Sequence, residues 1–106
     1  VKGVKVPFVP KEQTHVFHQY TVRVPSGKRD VLRTYLNEKG IGSEVYYPVP
    51  IHKQNFYVQQ LGYNDNLPET ELAATEVLSL PVHPALSTSD LETIVSGVNE
   101  FMEKNG

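Results

Sequence analysis

The residues with the widest range of chemistry lie together near the middle of the chain. Two phenols, an imidazole, an amine and an amide surround two prolines, in the order Tyr46-Tyr47-Pro48-Val49-Pro50-Ile51-His52-Lys53-Gln54. Prolines make the backbone rigid, and rigid loops that present polar groups are common parts of binding sites. We call residues 46–54 the candidate stretch, with Tyr46, Tyr47, His52 and Gln54 as its candidate site residues. Composition alone favours the alternative that the tyrosines pack in the core while His52 and Gln54 cap a helix.

The residues indicate neither a metal site nor a complete active site. The four histidines lack carboxylate neighbours at ligand spacing, so we expect no bound metal. Lys53 is the lysine next to the candidate stretch, but a Schiff-base lysine needs a desolvated pocket that a small domain rarely builds unaided. We therefore expect Lys53 to be exposed.

Alternating apolar residues predict a small three-stranded sheet. The first strand is expected over residues 16–24, with His18 on the buried face beside Val16, Tyr20, Val22 and Val24. The opposite face would carry Phe17, Gln19, Thr21 and Arg23. A second extended segment, residues 41–47, must stop before Pro48 and Pro50, and a third covers residues 78–80.

Helical patterns predict the elements that cover this sheet. The first helix, residues 28–39, ends at Gly40, and a short one lies around residues 53–60. Pro68 begins a third helix, residues 68–77, with Leu72, Ala73 and Val77 directed inward. A C-terminal helix begins at the capping-box pair Ser87 and Asp90 and carries an apolar stripe of Leu91, Ile94, Val95, Val98, Phe101 and Met102. The predicted fold class is α+β (α/β), a two-layer sandwich of a three-stranded sheet and helices.

Composition excludes several classes of function. Ten basic and twelve acidic residues give a net charge of −2, which provides no field to attract nucleic acid or anionic lipid. The apolar runs are a few residues long, whereas a membrane span needs about 20. Cysteine is absent, so disulfides and thiolate metal sites are excluded. We expect a cytoplasmic protein with no nucleic-acid or membrane partner, and Val1 in place of an initiator methionine suggests a piece of a longer chain.

Four sequence blocks, in order, resemble the C-terminal third of the DegT/DnrJ/StrS sugar aminotransferases. The blocks are His18-Gln-Tyr20-Thr-Val-Arg23, Leu36-Asn-Glu-Lys-Gly40-Ile41, Tyr47-Pro-Val-Pro-Ile-His52-Lys-Gln54 and Leu78-Ser-Leu-Pro81-Val-His83-Pro84. The resemblance extends from about Phe8 to Phe101. It implies that residues 1–106 form a single C-terminal small domain, like that of fold-type I aminotransferases, cut from a larger two-domain enzyme.

The resemblance also implies an activity for the parent protein. Such enzymes use pyridoxal phosphate to transfer an amino group, commonly from glutamate, to a nucleotide-linked keto sugar, and they form homodimers. The Schiff-base lysine belongs to their large domain, so this chain would contain no catalytic residue and would be inactive alone. Tyr47 and His52 would lie near the sugar nucleotide or cofactor, with Tyr46 and Gln54 as further candidates.

Other functions stay open at this point. Some members of the family are dehydratases or have regulatory names. A function of a different class is a free-standing, non-catalytic module that binds a ligand or a partner.

Overall fold

A two-stranded antiparallel sheet and three α helices form the fold, in a computed structural model that describes residues 2–105. Strand β1 spans Tyr20–Arg23 and strand β2 spans Val77–Leu80, with Tyr20 opposite Leu80. The helices are α1 (Arg29–Glu38), α2 (Pro68–Glu76) and α3 (Thr88–Asn105). A 3-10 turn (Ile51–Lys53) and a π-helical turn (Phe56–Gln60) lie between α1 and α2.

The hydrophobic core lies between one face of the sheet and helices α1 and α3. Val22 of β1 and Leu78 of β2 are opposite each other in register, and both are buried. The other buried apolar residues are Val24, Leu32, Leu36, Ile41, Val98, Phe101 and Met102. The predicted mixed α and β composition is therefore confirmed.

The predicted three-stranded sheet is not confirmed. Within residues 41–47, Glu44 forms an isolated bridge to Ser79, with hydrogen bonds of 2.8 and 3.1 Å between their backbone groups. Lys5 forms a similar bridge to Arg23 on the other side of the sheet. The backbone of Tyr47 has a φ of 56°, which is incompatible with an extended strand, and Pro48 follows it.

The prediction that β1 begins at Val16 is wrong, and so is the predicted burial of His18. Val16 is 94% exposed and His18 is also exposed. The Phe17 N–H donates to Nδ1 of His15, and the positive φ of Phe17 takes the backbone out of the extended conformation that strand pairing requires. Tyr20 pairs with Leu80, the last residue of β2, and Pro81 follows, so β2 offers no partner to residues before Tyr20.

The predicted ends of the long helices are confirmed. Helix α1 ends in a Schellman motif, because the Ile41 N–H donates to Leu36 O, the Gly40 N–H donates to Asn37 O, and Gly40 has a φ of 77°. Before α3, the Ser87 N–H donates to Asp90 Oδ2 and the Asp90 N–H donates to Ser87 Oγ, which is a reciprocal capping box. These contacts are local in sequence.

Much of the chain lies outside this core. The radius of gyration is 15.9 Å, whereas about 13 Å is usual for a compact domain of 100 residues. Phe8 is 86% exposed and Ile51 is 65% exposed. The chain is therefore more extended than a compact domain of its length.

Candidate functional site

An open groove of about 440 Å³ lies between the candidate stretch and helix α2. The candidate stretch contributes Tyr46, Tyr47, Val49, Pro50, Ile51 and Gln54. The wall opposite contains Thr70, Ala73 and Ala74 of α2, and Val77, which directly follows that helix. These four positions have the i, i+3, i+4, i+7 spacing of one helix face, and their short side chains leave room for a groove. The groove combines apolar walls with a few polar groups, as ligand sites commonly do.

The two tyrosines of the groove are exposed, so the alternative that they pack in the core is wrong. Tyr46 is 46% exposed and Tyr47 is 82% exposed. The left-handed backbone of Tyr47, at φ 56°, is uncommon for a residue with a large side chain. Conformations of this kind are often found at functional sites, where the surrounding structure maintains them.

The other two candidate residues are placed differently from each other. Gln54 is exposed and lines the groove, and its Nε2 donates to Val49 O at 3.5 Å. His52 is only 6% exposed and does not line the groove. Neither the 3-10 turn nor the π-helical turn has a side-chain cap, so the capping alternative for these two residues is wrong too.

Glu71 of α2 lies at the centre of a small polar cluster with His52 and Lys53. His52 Nε2 lies 3.8 Å from Glu71 Oε2 and has no hydrogen-bond partner among residues 2–105. Lys53 Nζ lies 3.2 Å from Glu71 Oε1, and the Leu67 N–H donates to Glu71 Oε2 at 3.0 Å. The hydrogen bond from Lys53 is the main cause that lowers the pKa of the Glu71 carboxyl, and the Leu67 N–H and His52 act in the same direction.

The residues that the structure describes do not fit the role of a cofactor anchor. The side chain of Lys53 is 49% exposed and forms an ion pair with Glu71, as expected for a lysine that is not a buried nucleophile. None of the described lysines is buried. Residues 2–105 contain no cluster of three metal-ligating side chains. No helix in that part of the chain has both the length and the apolar character of a membrane span.

Sequence reasoning missed the contribution of α2 to this site. Leu72, which was expected to face inward, is 48% exposed, whereas Ala73 and Val77 line the groove instead of the core. Glu71 was not among the candidate site residues. The helical spacing of Thr70, Ala73, Ala74 and Val77 was the available signal.

Large apolar side chains are unusually exposed in the segment that runs from the candidate stretch into α2. Between positions 49 and 72 they are Val49, Ile51, Phe56, Val58, Leu61, Tyr63, Leu67 and Leu72, each at least 40% exposed. Exposed apolar side chains in this number are typical of a surface that contacts another part of a protein.

Comparison with known proteins gives a consistent result. The sequence profile of the DegT/DnrJ/EryC1/StrS aminotransferase family matches residues 1–99. A pleiotropic regulatory protein of Geobacillus stearothermophilus is 48% identical over 96 residues, which cover 87% of this chain and 25% of the relative. The dTDP-3-amino-3,6-dideoxy-alpha-D-galactopyranose transaminase of Aneurinibacillus thermoaerophilus is 34% identical over 98 residues, or 92% of this chain and 26% of the relative.

Solved structures share the fold. The aminotransferase TlmJ from Streptoalloteichus hindustanus superposes with a TM-score of 0.82 at 31% identity, over 100% of this chain and 28% of that chain. Bacillus subtilis NtdA, solved with bound cofactor PMP, superposes with a TM-score of 0.84 at 28% identity, over 96% of this chain and 23% of that chain. The chain thus spans about a quarter of the length of the curated relatives that it matches.

Proposed function

The chain belongs to the DegT/DnrJ/EryC1/StrS aminotransferase family, and from this premise we propose that it is the C-terminal small domain of a nucleotide-sugar aminotransferase. The parent enzyme would use pyridoxal phosphate to transfer an amino group, commonly from glutamate, to a keto group on the sugar. The observation that carries the proposal is the family match over residues 1–99 together with the groove formed by its candidate stretch. The Aneurinibacillus relative, named as a transaminase of a dTDP-linked sugar, supports the substrate class.

The cofactor and its lysine would come from the part of the parent protein outside this chain. The exposed apolar side chains between positions 49 and 72 support this arrangement, because a second domain would remove them from water. When bound, pyridoxal phosphate would supply the electron sink for amino transfer. We further propose that the parent is a cytoplasmic homodimer.

Within this chain, we propose that the groove forms one side of the substrate cleft. Tyr46, Tyr47 and Gln54 would contact the nucleotide-linked sugar, because phenols and an amide can donate hydrogen bonds to hydroxyl and phosphate groups. Because His52 belongs to the candidate stretch but is itself buried, it would be close to the substrate without lining the groove.

Steady-state kinetics of the full-length parent protein test this proposal. Wild type should convert a nucleotide-linked keto sugar with glutamate as donor, and Tyr47→Phe should raise KM for the sugar about tenfold, since a hydrogen bond to a charged phosphate is worth about 1.5 kcal/mol. Tyr63→Phe is the matched control, because Tyr63 is exposed but does not line the groove. Equal KM values for both variants would refute the assignment of Tyr47.

We also propose that the 106-residue chain alone is inactive. Added pyridoxal phosphate should give no saturable absorption of an internal Schiff base, and no amino transfer from glutamate should be detected. A saturable absorption that is lost in Lys53→Ala would contradict this, because it would make Lys53 the nucleophile.

A regulatory role is a second candidate function. It is favoured by the name of the Geobacillus relative, which is 48% identical to this chain. A full-length protein that binds a nucleotide-linked sugar without turning it over would support regulation, whereas turnover would support the aminotransferase. The free-standing non-catalytic module is not favoured, because the relatives are about four times longer than the matched region.

A further inference from the structure

We propose that His52 and Glu71 are positioning residues, which hold the candidate stretch against α2 and so set the width of the groove. This inference rests on the function proposed above, because it assigns the groove to the nucleotide-linked sugar. It concerns two residues that do not line the groove.

The position of Glu71 on its helix suits this role. Thr70, Ala73, Ala74 and Val77 form the groove wall, and Glu71 directly follows Thr70, so it lies about 100° around the helix from that residue. From there its carboxylate meets the 3-10 turn, where Lys53 Nζ is 3.2 Å away and His52 Nε2 is 3.8 Å away. The Leu67 N–H holds the same carboxylate at the first turn of α2. Glu71 thus connects both walls of the groove.

The burial of His52 leaves the Glu71 carboxylate as a polar partner for its imidazole. Nε2 is buried without a hydrogen-bond partner among the described residues, which is costly. A movement of under about 1 Å would bring Nε2 to hydrogen-bond distance from the carboxylate. Removal of either side chain should therefore loosen the connection between the walls.

Hydrogen–deuterium exchange of the full-length protein measures this connection without relying on catalysis. Protection factors are compared at one pH for peptides that cover residues 46–60 and 67–76. Glu71→Gln and His52→Gln should each lower protection about threefold, as expected for the loss of a weak contact. Because both changes remove the same contact, the double variant should be no less protected than Glu71→Gln alone.

Two control variants separate this contact from its neighbours. Lys53→Met removes the other partner of Glu71 and should lower protection about threefold, and His52→Gln should lower it further in this background. Glu69→Gln changes a nearby acidic residue in the first turn of α2 and should behave as wild type. Protection that falls further when His52→Gln is added to Glu71→Gln, or that falls in Glu69→Gln, would overturn the proposed pair.

The kinetic consequence is tested separately on the same variants. Glu71→Gln should raise KM for the nucleotide-linked sugar and leave the glutamate half-reaction unchanged, whereas Glu69→Gln should change neither. An unchanged KM together with lost protection would overturn the positioning role. A wild-type protein that turns over no nucleotide-linked sugar would refute the proposed function instead, and the exchange data would then decide alone whether His52 and Glu71 connect the walls.

Discussion

Arg29 provides the sharpest test of how the groove wall is held in place. Its guanidinium is almost buried, and Nη1 donates to Ala74 O and to Val77 O, each at 3.0 Å. The Ala74 carbonyl is one of the last four of α2, which have no partner within a helix. The positive charge of Arg29 also complements the negative end of the helix dipole. Replacement of Arg29 should therefore loosen the end of α2.

The magnitude follows from the two hydrogen bonds to carbonyl groups. A hydrogen bond from a charged donor contributes about 1.5 to 3 kcal/mol, and removal of the guanidinium also relieves its desolvation cost. We therefore expect Arg29→Met to destabilise the end of α2 by about 3 kcal/mol, near the lower limit for two such bonds. The contact with Asp30, whose side chain is 79% exposed, should add little. Arg29→Lys should lie between Arg29→Met and wild type, since an ammonium lacks the forked geometry.

Hydrogen–deuterium exchange of the full-length protein is the assay. Peptides that cover residues 68–80 should exchange about 100-fold faster in Arg29→Met than in wild type, as about 3 kcal/mol predicts when local opening dominates. Arg33→Met is the matched control, because Arg33 lies one turn later on α1 and forms a more exposed ion pair with Glu44. Similar exchange rates in the two methionine variants would refute the role assigned to Arg29.

Three further predictions concern the core, the capping box and the groove. Leu36→Ala, at a fully buried position, should lower the free energy of unfolding by about 2 to 5 kcal/mol. Val31→Ala, on the exposed side of α1, should change it by less than about 0.5 kcal/mol. Thermal melts of both variants measure the difference. Ser87→Ala should lower stability by about 1 kcal/mol. The Ser87 backbone N–H, and after it the Ser87 hydroxyl, lower the pKa of the Asp90 carboxyl. The stabilisation from this carboxylate is therefore complete above its ordinary pKa of 3.8 and is lost as the pH falls through the lower pKa of the folded state. Acid titrations of the stability of wild type and Asp90→Asn should differ, and identical curves would contradict this. Tyr47→Gly should relieve backbone strain of about 1 kcal/mol while it raises KM for the nucleotide-linked sugar, and a KM equal to wild type would remove Tyr47 from the proposed site.

The candidate stretch shows how much of the site could be predicted from residue types alone. Its two prolines and polar side chains identified residues 46–54 as the place to look, and the groove does lie there. Their types did not reveal that Tyr47 is 82% exposed while His52, five residues later, is 6% exposed. Burial depends on which element packs against a side chain, and here that element is α2. Glu71 and Arg29 were missed for the same reason, because their partners are distant in sequence.

The sequence by itself determined the features that depend on local interactions. The end of α1 at Gly40 and the start of α3 at Ser87 were predicted correctly, because each rests on hydrogen bonds between residues at most five positions apart. Only the tertiary structure decided the extent of the sheet. A strand needs a partner across space, and β2 ends at Leu80 before Pro81, so β1 begins at Tyr20 and the apolar alternation that precedes it forms no strand.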